Sequence, residues 1–274
     1  MPRGNHRTAA SAPDRDRGRP GRRKRDDPAA QPVGASVRRP APVLVRQLDV
    51  PRHPRPGRLA DRGHGAAHPA LLRDRDGGID AALYYSLIRH LAPKRVIEIG
   101  SGQSTRIANL AFTRNQAENK QGRLTCIEPN PERLLDQKQE IELLQQKVEE
   151  IPRDYFACLE ANDILFIDST HTVKFGSDVC YEFLEILPTL KPGVWVHVHD
   201  IFFPNDYPAE WILERRLAWN EQYLLEAFLS FSNAYSVEIA THWLSLDYPD
   251  VVTALYPEAS TMPGLASSFW IRRN

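Results

Sequence analysis

The side chains able to do chemistry fall in three short stretches. The first, RVIEIGSGQST (95–105), carries Glu98 near the end of an apolar run and turns through Gly100, Ser101 and Gly102 toward Ser104. A glycine-rich turn between a strand and a helix lets backbone approach a ligand closely and aims free amides at it. In the dinucleotide fingerprint G-x-G-x-x-G those amides face a pyrophosphate. Here the third glycine position is Thr105, and an acid stands two residues ahead of the first glycine. A carboxylate there repels a diphosphate and attracts an amino group, so the turn argues against NAD. The second stretch, CIEPNP (126–131), ends another apolar run with Glu128, 28 residues beyond Gly100. The third, 163–202, holds Asp168, His171, His197, His199 and Asp200. Histidine titrates near neutrality and is the natural proton acceptor for a hydroxyl.

These residues are useful only if strand ends bring them together. IDAALYYSLIRHLAP (79–93) repeats apolar residues at helical spacing and stops at Pro93. Apolar, β-branched runs predict strands at 95–99, 123–128, 141–147, 163–168, 193–202, 235–241 and 267–273. Helices are expected over 104–116, with Ser104 or Ser101 as N-cap, and over 130–139, with Asn130 as cap and Pro131 in the first turn. Further helices are expected over 152–161 and 177–190, and one long helix from about Ala209 to Phe231 would put Trp211 and Trp219 on a shared face. This alternation predicts an α/β, Rossmann-like, doubly wound and mostly parallel sheet with helices on both faces. Ligands in such sheets sit beyond the carboxyl ends of the strands, where strand order reverses.

With these motifs, residues 79–274 resemble the class I S-adenosylmethionine (SAM)-dependent methyltransferases, whose first motif is E/D-x-G-x-G at the end of strand one. The resemblance narrows to bacterial small-molecule enzymes with D-x-x-H after strand four and H-x-H-D after strand five. It extends through DIFFPNDYPAEW, AWNEQYLLEAFL and SSFWIRR. It implies a seven-stranded sheet whose last strand is antiparallel and inserted at the sheet's edge. By resemblance, Glu98 holds the aminoacyl end of the cofactor, directly or through water, and Gly100, Ser101, Gly102 and Ser104 line its path. Glu128 would accept both ribose hydroxyls, and Val148 and Glu149 would lie by the adenine. Methyl transfer needs an aligned acceptor and removal of a hydroxyl proton. His171 is the first candidate for that base and His199 the second; His197 lies deeper and reads as a core residue. Catechol-type relatives hold Mg²⁺ on acids ending strands four and five. Asp168 and Asp200 match those acids, but Ile201 offers no ligand atom where those relatives carry an amide. The imidazoles of His171 and His199 would suit a softer divalent ion. The implied activity is O-methylation of a small hydroxylated metabolite. An NAD(P)-linked oxidoreductase and a catalytically inactive SAM-binding protein are the alternatives.

Net charge is zero, yet residues 1–78 carry 18 Lys+Arg against eight Asp and no Glu. They hold 11 of the 22 prolines and no Phe, Tyr, Trp, Ile or Cys, so they cannot bury enough apolar surface to fold and are expected to be disordered. Seventeen of those basic residues are Arg. That is the composition of GC-rich DNA read out of frame or upstream of the true start; a solvated tail and a nucleic-acid-binding arm are the other readings. Eight Asp and no amphipathic period argue against a transit peptide. Cys126, Cys158 and Cys180 have no metal-ligand spacing, and an odd count fits a reducing, cytoplasmic setting. No run is long and apolar enough to span a bilayer. The expected partner is a small-molecule acceptor, with neither nucleic acid nor membrane; self-association to a homo-oligomer is left open.

Overall fold

The computed structural model describes residues 78–131, 141–255 and 266–274. The helix expected over 130–139 lies outside them, apart from Asn130 and Pro131, as does the basic head apart from Gly78.

The first helix, α1 (Gly78–Leu91), leads into β1 (Arg95–Ile99), α2 (Gln103–Ala117), β2 (Arg123–Ile127) and β3 (Ile141–Leu144). Two 3₁₀ turns, Val148–Glu150 and Arg153–Cys158, precede β4 (Ile164–Ile167). Beyond β4 a helical segment runs as α3 (Asp178–Tyr181), a π turn (Glu182–Ile186) and a 3₁₀ turn (Leu187–Thr189), and then comes β5 (Trp195–Val198). The chain closes with α4 (Ala209–Leu213), α5 (Glu221–Ser230), β6 (Tyr235–Ala240), α6 (Thr241–Asp247), α7 (Pro249–Leu255) and β7 (Phe269–Arg273).

The seven strands form one sheet in the order β3-β2-β1-β4-β5-β7-β6. All neighbours pair in parallel except β7, which is antiparallel to both β5 and β6. The antiparallel last strand is therefore internal, and β6 takes the edge expected for it. Phe269, Trp270 and Ile271, all buried, suit a strand with neighbours on both sides. Side chains alternate between two apolar layers. Ile97, Ile99, Leu165, Ile167, Val196 and Val198 face one, and Val96, Cys126, Phe166 and Trp270 the other. Strand order reverses between β1 and β4, so the crevice opens beyond their carboxyl ends.

Two local expectations change. The N-cap of α2 is Gly102 rather than Ser104 or Ser101, and its N–H donates to the Thr105 hydroxyl (3.1 Å). The long helix over 209–231 is two helices, broken at 214–220 where Arg216 takes a left-handed conformation (φ 55). Trp211 and Trp219 still meet edge to face at 5.0 Å, brought together by the break instead of by a common helical face.

Candidate active site

Register decides which side chains share the crevice. Leu144, Ile127, Ile99, Ile167 and Val198 are paired in one row across β3, β2, β1, β4 and β5. The residues that follow them, including Glu128, Gly100, Asp168 and His199, line the rim side by side. The Gly100 N–H donates to the Ile127 carbonyl (2.9 Å) and the Asp168 N–H to the Ile99 carbonyl (3.0 Å), extending the sheet by one step. Gly100 has φ 96, and a Cβ there would stand 2.3 Å from the Asp168 carbonyl oxygen. Only glycine allows the β1 and β4 rims to close on each other. A Cβ at Gly102 would meet nothing within 4 Å, so the turn leaves open space where α2 begins. Glu128 is half-buried; its Oε1 accepts from the Asn130 N–H (2.8 Å) and its own N–H donates to the Leu144 carbonyl (3.1 Å). Ser101 and Ser104 are half-buried on the turn, while Val148 is buried and Glu149 exposed in the 3₁₀ turn after β3.

Glu98 is not on the rim. Strand alternation turns it into the second apolar layer, where it has no exposed surface. Tyr84 from α1 donates to its Oε1 (2.9 Å), and Thr105 (2.6 Å) and Cys126 (3.4 Å) donate to its Oε2. Burial raises the carboxyl and the three hydrogen bonds oppose it, leaving it at about 7. The expectation that Glu98 holds a ligand's amino group, directly or through water, therefore gives way to a positioning role. Glu98 holds Thr105, and Thr105 holds the Gly102 N–H, so the acid fixes the glycine turn from behind.

The third stretch closes into a charged cluster. His171 is buried with φ 57; its Nε2 lies 3.2 Å from Asp168 Oδ1 and 3.7 Å from Asp200 Oδ2, and its Nδ1 lies 2.8 Å from Glu221 Oε2. Three consecutive residues grip it. Trp219 lies against the ring at 4.3 Å, the N–H groups of Asn220 (3.0 Å) and Glu221 (3.3 Å) donate to its carbonyl, and the Glu221 carboxylate takes Nδ1. Burial alone would lower His171, but its hydrogen bonds to Asp168 and Glu221 outweigh that and push it up to about 11. Held as an imidazolium with both ring nitrogens engaged, His171 offers no free lone pair, which argues against its expected role as base. Burial likewise works against protonation of His199, yet the charges of Asp168 and Asp200 raise it to about 10. Burial would raise both aspartates, and the facing imidazoles hold them below their ordinary value instead. His197 is fully buried, bonds Ser268 Oγ through Nε2 (2.9 Å) and stacks on Phe166 at 3.9 Å. Burial first, and His199 second, keep it neutral. Glu221 escaped the sequence reading because it sat within a predicted helix. Asn220 before it, an N-cap type of residue, was the available signal.

Two buried atoms of this cluster lack a hydrogen-bond partner, Glu221 Oε1 and His199 Nδ1. His199 Nδ1 is buried and makes no hydrogen bond; Asp200 Oδ1 lies 3.3 Å away without hydrogen-bond geometry. Asp168, His199 and Asp200 bring one ligand atom each within 4.8 Å of one another. Two carboxylate oxygens and an uncommitted ring nitrogen fit a divalent ion.

The fold and this rim define a class: Rossmann-like, doubly wound domains that bind a ligand at the β1/β4 switch point. Within that class, residues 97–201 match the family model described as a methyltransferase domain. The match runs from β1 through Ile201 and so contains the whole rim. An Archaeoglobus fulgidus protein, described only as uncharacterized, is 34% identical over 93 residues, 31% of this chain and 40% of that relative. The match thus spans less than half of the relative's length. Among solved structures, the SAH-bound Podospora anserina methyltransferase PaMTH1 overlaps 71% of this chain and 77% of its own (15% identity, TM-score 0.44). The O-methyltransferase TomG of Streptomyces achromogenes, solved with SAM, overlaps 74% and 86% (15%, 0.43). A Bacillus cereus O-methyltransferase with SAH overlaps 75% and 86% (12%, 0.42). Overlaps this loose carry no chemistry from one protein to another. Among the described residues no helix is long and apolar enough to cross a membrane.

Proposed function

We propose that this chain transfers a methyl group from SAM to a hydroxyl of a small acceptor at the β1/β4 rim. The observation that carries the reading is the row formed by Gly100, Glu128, Asp168 and His199, with the glycine turn closed on Asp168 so tightly that no side chain fits. The turn, fixed from behind by Glu98 and Thr105, offers backbone and open space to the amino-acid end of the cofactor. Glu128, one strand over, is spaced to accept a ribose diol. SAM supplies an activated methyl on a sulfonium, so the protein's work is alignment and proton removal. The acceptor hydroxyl meets Asp168 and Asp200, with Trp219, Trp211 and Phe202 in mutual contact beside His171 as an aromatic wall. His171, fixed as a cation, orients Asp168 and Asp200. A divalent ion, held by Asp168, His199 and Asp200, would lower the pKa of a hydroxyl bound to it.

Isothermal calorimetry of the full chain with S-adenosylhomocysteine, and separately with NAD, tests the reading. Saturable binding of the first and none of the second is the expected result. Binding of NAD alone would point to an oxidoreductase, and binding of neither would end the proposal. S-Adenosylhomocysteine binding without methyl transfer to any member of a hydroxylated acceptor panel would favour an inactive binding protein.

A further inference from the structure

The loop that leaves β4 is held by three acids in turn. Ser169 Oγ donates to Glu182 Oε2 (3.1 Å), and Thr170 donates from its N–H (3.0 Å) and its hydroxyl (2.7 Å) to Asp178. His171 Nδ1 meets Glu221 Oε2 (2.8 Å). Asp178 is half-buried, and both its oxygens are engaged. Glu182 and Glu221 differ from it: neither has exposed surface, and the Oε1 of each is buried without a hydrogen-bond partner. They come from elements packed on each other. Glu182 opens the π turn, Glu221 begins α5, and Phe183 and Phe228 close the contact edge to face at 6.2 Å. Two neighbouring carboxyls withdrawn from water do not both ionise, because each charge raises the cost of the other. Burial is the largest cause lifting Glu182 above its ordinary 4.5, followed by the charges of Glu221 and Asp178, against the Ser169 bond and the His171 charge. Burial lifts Glu221 too, but His171 opposes that through both its hydrogen bond and its charge. Among the described residues, His171 is the one cation ion-paired with either acid. A proton on Glu182 Oε1 answers both features: the pair keeps one charge for one imidazolium, and two orphaned acceptors become a donor and an acceptor.

We propose that Glu182 is a carboxylic acid held protonated, donating from Oε1 to Glu221 Oε1, and that it is a positioning residue for the rim. Ser169, Glu182, Glu221 and His171 then close a hydrogen-bonded ring on the loop directly after Asp168. The ring holds His171 in its left-handed backbone (φ 57), with Nε2 3.2 Å from Asp168 Oδ1. Glu182 touches no reacting atom and acts through Glu221 and His171. The use of that placement in methyl transfer rests on the transferase reading; the shared proton does not.

The test uses the full chain with glutamate labelled by ¹³C at the side-chain carboxyl. At neutral pH its infrared spectrum should contain the carbonyl band of a protonated carboxylic acid that shifts in D₂O, is lost in Glu182→Gln and remains in Glu98→Gln. Gln supplies a donor and an acceptor without a titrating proton. In that variant the His171 ring Nδ1–H, followed in ¹⁵N-histidine spectra, should therefore exchange with water within about twofold of the wild-type rate. Glu182→Leu, of similar bulk but with neither atom, should speed that exchange about tenfold or more, with circular dichroism verifying the fold. If the Leu variant does not fold, the infrared band and the Gln variant decide. No acid band in the labelled wild type, a band untouched by Glu182→Gln, ring exchange in the Gln variant tenfold faster than wild type, or unchanged exchange in a folded Leu variant would each overturn the assignment. S-Adenosylhomocysteine titrated into the same samples keeps the two claims apart. Its binding without the acid band defeats the shared proton alone; the band without its binding defeats the transferase reading alone.

Discussion

Replacing Glu98 with Gln isolates what the buried acid does. In the folded chain its carboxyl sits at about 7, against an ordinary 4.5, with burial the largest cause and hydrogen bonds from Thr105, Tyr84 and Cys126 opposing it. Below about pH 4.5 the group is protonated in both folded and unfolded chains. As pH rises from there, the unfolded chain releases its proton first, so stability falls until the folded carboxyl also ionises near 7. At about 1.4 kcal/mol per pH unit, the full loss is roughly 3 kcal/mol, most of it between pH 5 and pH 8. Gln is neutral throughout and lacks this slope. The stability of Glu98→Gln relative to wild type should therefore rise by roughly 2–3 kcal/mol from pH 5 to pH 8, whatever its offset at pH 5. Urea unfolding followed by tryptophan fluorescence at four pH values on both proteins reads this double difference and cancels the other titrating groups. A flat difference, or one of opposite sign, would refute the claim that Glu98 is a buried carboxyl working through Thr105 and not an acid open to solvent at the rim. Calorimetry with S-adenosylhomocysteine on the same variant should show weakened affinity, because the Thr105 hydroxyl that anchors the Gly102 amide loses its anionic acceptor.

The two glycines of the turn should respond differently to one methyl group. Gly100→Ala, with φ 96 and a backbone oxygen 2.3 Å from the new Cβ, should cost about 3 kcal/mol or more and abolish ligand binding. Gly102→Ala meets no atom within 4 Å and should keep the melting temperature within about 2 °C while weakening S-adenosylhomocysteine. In metal-free protein, Glu221→Gln should drop the His171 titration from about 11 toward its ordinary 6.5, read from ring ¹⁵N shifts; an unmoved titration would refute the clamp. In wild type that raised value contributes stability fully present below about pH 6.5 and lost as pH rises through about 11, so the variant should lose stability relative to wild type across neutral pH. Loading an ion on His199 displaces its proton, so calorimetry at pH 7 in two buffers of different ionisation enthalpy should report release of close to one proton per ion.

The strands were legible in the sequence because each is a short β-branched or apolar run bounded by turn residues. The rim was legible because Glu128, Asp168 and Asp200 come at or just past the ends of those runs. What the pattern hid was depth and distance. Glu98 and Gly100 are two residues apart, but Glu98 still lies inside β1, facing Tyr84, Cys126 and Phe166, whereas Gly100 lies past the strand's end at the crevice. The π turn at Glu182–Ile186 was hidden for a different reason: its apolar spacing reads like any helix, although such turns gather at functional sites. Glu221 was hidden because apolar spacing over 209–231 continues through the break, and the break depends on Asn220 pinning Val173 and His171. The charge of His171 follows from a contact 50 residues away along the chain, which no local pattern encodes.

That distant contact also explains why one rim needs two histidines with different freedoms. Asp168, Asp200 and Glu221 put three carboxylates on a group largely withdrawn from water, where uncompensated charge is costly. The imidazolium of His171, locked between Glu221 and Asp168, is a permanent counter-charge that no ligand can displace without leaving Glu221 buried and unpaired. His199 has no such lock, so its proton is the exchangeable one. With both rings protonated and all three acids ionised, the group would carry one net negative charge; trading the His199 proton for a dication would bring it to neutrality. On the proposed reading, the donor's sulfonium and the acceptor's oxyanion, opposite in sign, would then meet a cluster whose own charges cancel. The division of labour between His171 and His199 therefore follows from electrostatics at the rim, and Glu221, far along the chain, is the residue that sets it.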